Sequence, residues 1–166
     1  MFDPTSFTGF HTWLSLIALA TGLVTVAGLL GSRRRPGWTA AFLATAVATS
    51  VTGYGFPPGD AVSPAQIVGA VALLILAVAL LARYGARLAG RWRAAYAIAI
   101  VASEYLLAFV GVAQSFQKIP ALAATAPAGF AVAQLAVLAG FVVLGVLAVR
   151  RFHPPAPLMP PLGKVA

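Results

Sequence analysis

Long apolar runs, each closed by a knot of proline, glycine or arginine, set the pattern of this chain. Five of them approach the ~20 residues that an α-helix needs to cross ~30 Å of hydrocarbon. They predict an all-α integral membrane bundle of five transmembrane helices over residues 10–30, 38–56, 66–84, 94–115 and 130–149. Pro36, Pro57, Pro58, Pro64, Pro120 and Pro127 all fall between the runs, where a missing backbone donor does least harm. Residues 1–152 therefore read as one helical domain, followed by a proline-rich tail over 153–166 that cannot continue a helix.

Composition fixes the solvent. Hydrophobic residues make up 61% of the 166, charged residues 8%, and the mean hydropathy is +0.95. Soluble domains carry roughly 25% charged residues, so this is a membrane protein whose first partner is the lipid bilayer. The formal charge of +8 would suggest nucleic acid in a soluble chain. Here the basic residues stand in short clusters between lipid-length runs, and no nucleic-acid partner is expected. With no cysteine, disulfides, thiolate catalysis and Cys-ligated metals are excluded. The opening "MFDPTSFTGFHTW" lacks a positive n-region and does not read as a signal peptide.

Charge then orients the bundle. Arg33, Arg34 and Arg35 follow run one, Arg83, Arg87, Arg91 and Arg93 lie around the third junction, and Arg150 and Arg151 follow run five. With Lys164 in the tail, ten of the 11 basic residues gather on one side, against Asp3, Asp60 and Lys118 on the other. An excess of Lys and Arg marks the cytoplasmic side. The expectation is N-terminus out, C-terminus and flexible tail in. Trp38, Trp92, Tyr84 and Tyr54 fall near run ends, as amphipathic rings should.

Against this background one residue stands out. "VASEYLLAFVGVAQSFQK" (101–118) carries Glu104 among apolar and small neighbours, about ten residues into its run and so close to the bilayer midplane. An ionised carboxylate there costs ~2.5–3.5 kcal/mol even on the lenient insertion scale. Ala97, Glu104, Ala108, Gly111, Ser115 and Lys118 recur at helical spacing, a narrow small-and-polar face on which another helix approaches closely. His11, Ser15, Ala18, Gly22 and Thr25 form a matching stripe on run one, and Thr45, Thr49 and Thr52 on run two.

Depth adds a second pattern. His11, Thr52, Tyr54, Gln66, Gln114, Gln117, Lys118 and Gln134 belong to the outer half by this topology. Together they predict a polar vestibule open to the outside with Glu104 at its floor. The candidate substrate- or ion-binding set is Glu104, His11, Thr49, Gln114, Gln134, Gln66 and Lys118. An intramembrane ionisable residue is a functional candidate by default. The blander reading makes Glu104 a hydrogen bond between helices, to Thr49, His11 or Gln134. His11 suits an outer interface, Lys118 a helix C-terminus, and the glutamines suit either helix pairing or a binding site.

No catalytic or metal site is predicted. The phosphate-binding glycine loop, H-E-x-x-H and the nucleophile elbow are missing. His11 and His153 fall on opposite membrane faces, too far apart for one haem iron, and no cofactor is expected.

The stretches "TSVTGYGFPP", "SPAQIVGAVALLILAVALLARYGARLAGRWRAAY" and "QSFQKIPALAATAP" resemble a group of small, uncharacterised bacterial multi-pass proteins. Overall the chain is weakly similar to DoxX-like four-helix proteins. The resemblance implies the bacterial inner (cytoplasmic) membrane and supplies no reaction.

The expected function is transport: a small channel, transporter or proton-coupled carrier of a small solute with Glu104 at its centre. The alternative is an accessory subunit of a membrane complex, or a module binding lipid or quinone with Glu104 and His11 on a headgroup carbonyl. An intramembrane enzyme ranks last. Abundant small-residue faces point to a homo-oligomer.

Overall fold

A computed structural model describes residues 3–56 and 63–154. Among them the chain is helical, with α1 Phe7–Leu30, α2 Pro36–Thr52, α3 Pro64–Leu80, α4 Trp92–Lys118, the short α5 Pro120–Ala123 and α6 Ala128–Arg151. Strands are absent among the described residues.

Local chemistry sets most of the starts. Ser6 caps α1 by accepting from the Gly9 N–H. Pro36 and Pro64 sit in the first turns of α2 and α3, where an N–H lacks an intrahelical partner anyway. The Ser63 hydroxyl accepts from the Gln66 N–H while the Gln66 side chain accepts from the Ser63 N–H, a reciprocal capping box. At its far end α3 widens into a π-helical turn, Leu81–Gly85.

Four helices are long and apolar enough to cross a membrane: α1, α3 with its π-turn, α4 and α6. The expected fifth span is the exception. α2 has 17 residues, about 25 Å at 1.5 Å per residue, less than the ~30 Å of hydrocarbon. The chain tightens into a 3-10 turn at Gly53–Gly55, so residues counted into that run from its hydropathy do not extend the α-helix.

The helices close a ring: α1 packs on α2, α2 on α3, α3 on α4, and α4 back on α1. α6 lies outside that ring, against α4 and α1. The core runs through the middle, from Ala18, Phe42 and Ala46 to Leu76, Ala79, Tyr96 and Ile100. The outer faces remain apolar, with Leu74 71% and Val132 68% exposed, as expected of surfaces solvated by lipid rather than water.

The two ends differ in charge. At one end the His153 N–H donates to the Ser32 hydroxyl at 2.8 Å, the Tyr96 and Phe152 rings stand 5.7 Å apart, and Arg83 donates to the Tyr96 hydroxyl at 3.3 Å. These contacts join the C-terminal ends of α1, α3 and α6 to the start of α4, and gather the nine arginines at one end. At the other end His11 meets Thr52, Phe7 packs on Phe56, Tyr54 bonds the Gln66 carbonyl, and Lys118 closes α4. Asp60, Lys164 and nearly all of the proline-rich tail lie outside the described residues.

Candidate functional site

Glu104 is the thirteenth of the 27 residues of α4, so about 18 Å of helix precedes it and about 21 Å follows. Its exposure is 0%. α1 makes room for it: a side chain at Gly22 would collide with the Glu104 carboxylate and the edge of the Phe42 ring. A glycine on α1, a phenyl ring from α2 and a carboxylate from α4 therefore meet at one point in the middle of the bundle.

Neither carboxylate oxygen has a hydrogen-bond partner among the described residues. That finding counts against the bland reading. The expected partners are engaged elsewhere or stand alone. His11 Nδ1 lies 2.8 Å from the Thr52 hydroxyl. Since that hydroxyl donates to the Ala48 carbonyl at 2.7 Å, it accepts from His11, which fixes the Nδ1–H tautomer. Gln134 donates from Nε2 to the Phe109 carbonyl at 3.0 Å, tying α6 to α4. The Thr49 hydroxyl is buried without a partner, as are Ser103 Oγ and Gln134 Oε1.

Such a constellation is unsatisfied in either charge state. Ionised, Glu104 is an uncompensated charge; protonated, it is a donor without an acceptor. Each buried unsatisfied polar group costs ~1–3 kcal/mol, and more when charged. The other buried hydroxyls on α1 avoid that cost by bonding back along the helix: Thr21 to Ile17 and Thr25 to Thr21. Glu104 has no such recourse, and the Ser103 and Thr49 hydroxyls are likewise without a partner among the described residues. Chemically it offers a proton to take up or release, and no metal-binding cluster of three or more His, Cys, Asp or Glu occurs among the described residues.

Of the predicted set, Glu104, Thr49 and Gln134 are buried within the bundle. His11 is half-buried near the less basic end. Three others do not join them. Gln66 is occupied as the cap of α3. Gln114 and Lys118 are exposed on the last turns of α4, about 15 and 21 Å of helix from Glu104. The expected vestibule floor is therefore a closed one: Gly22 of α1 and the Phe42 ring cover the small-residue face at Glu104, whereas Gly111 and Lys118 further along that face are exposed. Gly22 belongs to the small-residue stripe expected on run one, and Phe42 to none of the expected site residues. The glycine was visible as part of the α1 stripe, whereas the ring carried no signal beyond being apolar.

Two grooves mark the outer surface. One of about 460 Å³ runs between α4 and α6, lined by residues such as Ile98, Tyr105, Phe141 and Arg150. The other, of similar volume, lies along α3 beside Tyr54 and Gln66. Neither is lined by Glu104. No family model, curated protein or solved structure matches the chain.

Proposed function

We propose that this protein is a proton-coupled carrier of a small solute, with Glu104 as the exchangeable proton site. The observation that carries the reading is the isolation of that carboxylate: mid-helix, fully enclosed and bonded to nothing among the described residues. A residue that only joined helices would be satisfied by one of them. A residue that must give up a proton gains from having no fixed partner in the closed state. The closed ring over Glu104 is then one state of an alternating cycle, and opening between α1 and α4 gives it access to one side.

The membrane placement belongs to the same proposal. The arginine-rich end faces the cytoplasm, leaving the N-terminus outside, in agreement with the positive-inside bias. α2, together with its 3-10 turn, completes a fifth crossing in a bilayer locally thinned around it. The resemblance to small bacterial multi-pass proteins supports the inner membrane as its location, and the uncovered glycines Gly111 on α4 and Gly140 on α6 support a homo-oligomer.

Purified protein in liposomes with an imposed pH gradient tests this. Lumenal dye fluorescence and uptake of a panel of radiolabelled small solutes are read together. Wild-type protein should dissipate the gradient and accumulate one solute class. Glu104→Gln, confirmed as assembled by size exclusion, should do neither; proton movement equal to wild type in that variant defeats the reading.

A further inference from the structure

The groove between α4 and α6 lies on a different face of α4 from Glu104 and is independent of the transport reading. It runs past Ile98, Ala102 and Tyr105 on α4 and Phe141, Gly145 and Arg150 on α6. Its volume of about 460 Å³ falls in the ~300–1,000 Å³ range of small-molecule sites. Its lining is apolar apart from Arg150 at one end and the hydroxyl that Tyr105 carries.

Length and charge select an occupant. From Arg150 to Leu138, the far lining residue of α6, is about 18 Å of helix. One leaflet of a bilayer contributes about half of the ~30 Å hydrocarbon core. The groove thus starts at the arginine-rich end and reaches as deep as one acyl chain of the adjoining leaflet. Guanidinium groups match phosphate geometry with paired N–H donors. The rims are themselves lipid-facing: Ile98 is 55% and Val146 47% exposed.

From this we infer that the α4–α6 groove is a binding site for one anionic phospholipid, its phosphate held by Arg150 and one acyl chain laid along Val146, Phe141 and Leu138. Water would not remain in an apolar slot open to lipid, and the charged end distinguishes this groove from the one beside Tyr54, which has no cation in its lining.

The full-length protein, purified in neutral detergent, is mixed with equal amounts of phosphatidylglycerol and phosphatidylcholine of identical chains and examined by native mass spectrometry. A single phosphatidylglycerol adduct should exceed the phosphatidylcholine adduct by about five- to tenfold, because the choline ammonium offsets the phosphate charge that one basic residue attracts in the anionic lipid. Arg150→Gln should remove that preference, whereas Arg87→Gln, at the same end but outside the groove, should preserve it. Ala102→Trp, which fills the slot, should abolish the adduct. Should that variant fail to assemble, Val142→Trp, on the exposed rim, decides in its place. Equal retention of the two lipids overturns the inference. So does a preference lost equally with Arg87→Gln, or an adduct that survives groove filling. A dimer that the groove-filling variants dissociate would assign the surface to a second copy instead, and also overturns it.

Discussion

The Glu104 carboxylate lies in the space that Gly22 leaves empty, so that α1 and α4 interlock through an acid and a missing side chain. Small residues let helices approach closely in membranes; here the approach also seals a polar group. Gly22→Ala should therefore be destabilising by about 1–3 kcal/mol, the usual cost of overpacking a filled interior. In the Glu104→Ala background the same change should cost less, because the carboxylate is gone and only the edge of the Phe42 ring remains in the way. Thermal unfolding in detergent of the four proteins of this cycle measures the coupling, and strictly additive effects would show that the two residues do not share this space.

Stability and activity should part company at Glu104. Replacing it with Met keeps much of the volume and removes both unsatisfied oxygens, so Glu104→Met should be as stable as wild type or more so, by about 1–3 kcal/mol. The proposed proton movement should be lost in the same variant. Residues retained at a cost to stability are characteristic of functional sites. A large drop in melting temperature in Glu104→Met would instead mean that the acid holds the bundle together.

Much of this was legible in the sequence because membrane folding simplifies the code. Hydropathy alone located the helices, for every backbone polar group in lipid must be satisfied within its own segment. It ran past the α-helix at α2, which ends at Thr52 and passes into a 3-10 turn over Gly53–Gly55. The charge of Glu104 in an apolar run announced its burial, and the small-residue stripe on run one announced Gly22. What periodicity did not convey was partner choice. Gln66 reads as a binding residue and a capping residue alike until Ser63 is placed three residues before it, a signature present in the text as "SPAQ". Gln134 likewise finds a backbone carbonyl on α4, and no sequence pattern marks Phe109 as its acceptor.

At the arginine-rich end, Tyr96 is 1% exposed and its hydroxyl accepts from Arg83. The Arg83 guanidinium also lies over the Tyr84 and Tyr96 rings, at 5.5 and 5.8 Å, within reach of a cation–π contact. Tyr96→Phe retains the ring and its packing on Phe152 but removes the acceptor. The expected loss is about 1–3 kcal/mol, the range for a hydrogen bond to a charged group. Tyr96→Leu should lose more, because the ring contacts go as well. Chemical or thermal denaturation distinguishes the two, and a Tyr96→Phe variant as stable as wild type would mean the hydroxyl contributes nothing.

The pairing of His11 with Thr52 joins α1 to α2 across 41 residues of sequence. Thr52→Val removes the acceptor at nearly constant shape and should cost about 0.5–1.5 kcal/mol, while Thr52→Ser should be close to neutral. Nitrogen chemical shifts of the His11 ring give a direct check: the Nδ1–H tautomer should dominate in wild type and give way to a mixture in Thr52→Val. Unchanged tautomer populations would separate the ring's state from this bond.

Absence of cysteine makes the orientation directly measurable, since each introduced thiol is the single one in the protein. Lys118 and Arg151 are exposed at opposite ends of the bundle. In intact cells stripped of their outer membrane, Lys118→Cys should react with a membrane-impermeant maleimide. Arg151→Cys should react only after permeabilisation. The reverse pattern would invert the topology and place the arginine-rich end outside, against the charge bias that sets orientation in short loops. Labelling of both thiols in intact cells would mean that the helices joining these ends do not traverse the bilayer, and the closed environment of Glu104 would then lie in water rather than at a membrane midplane.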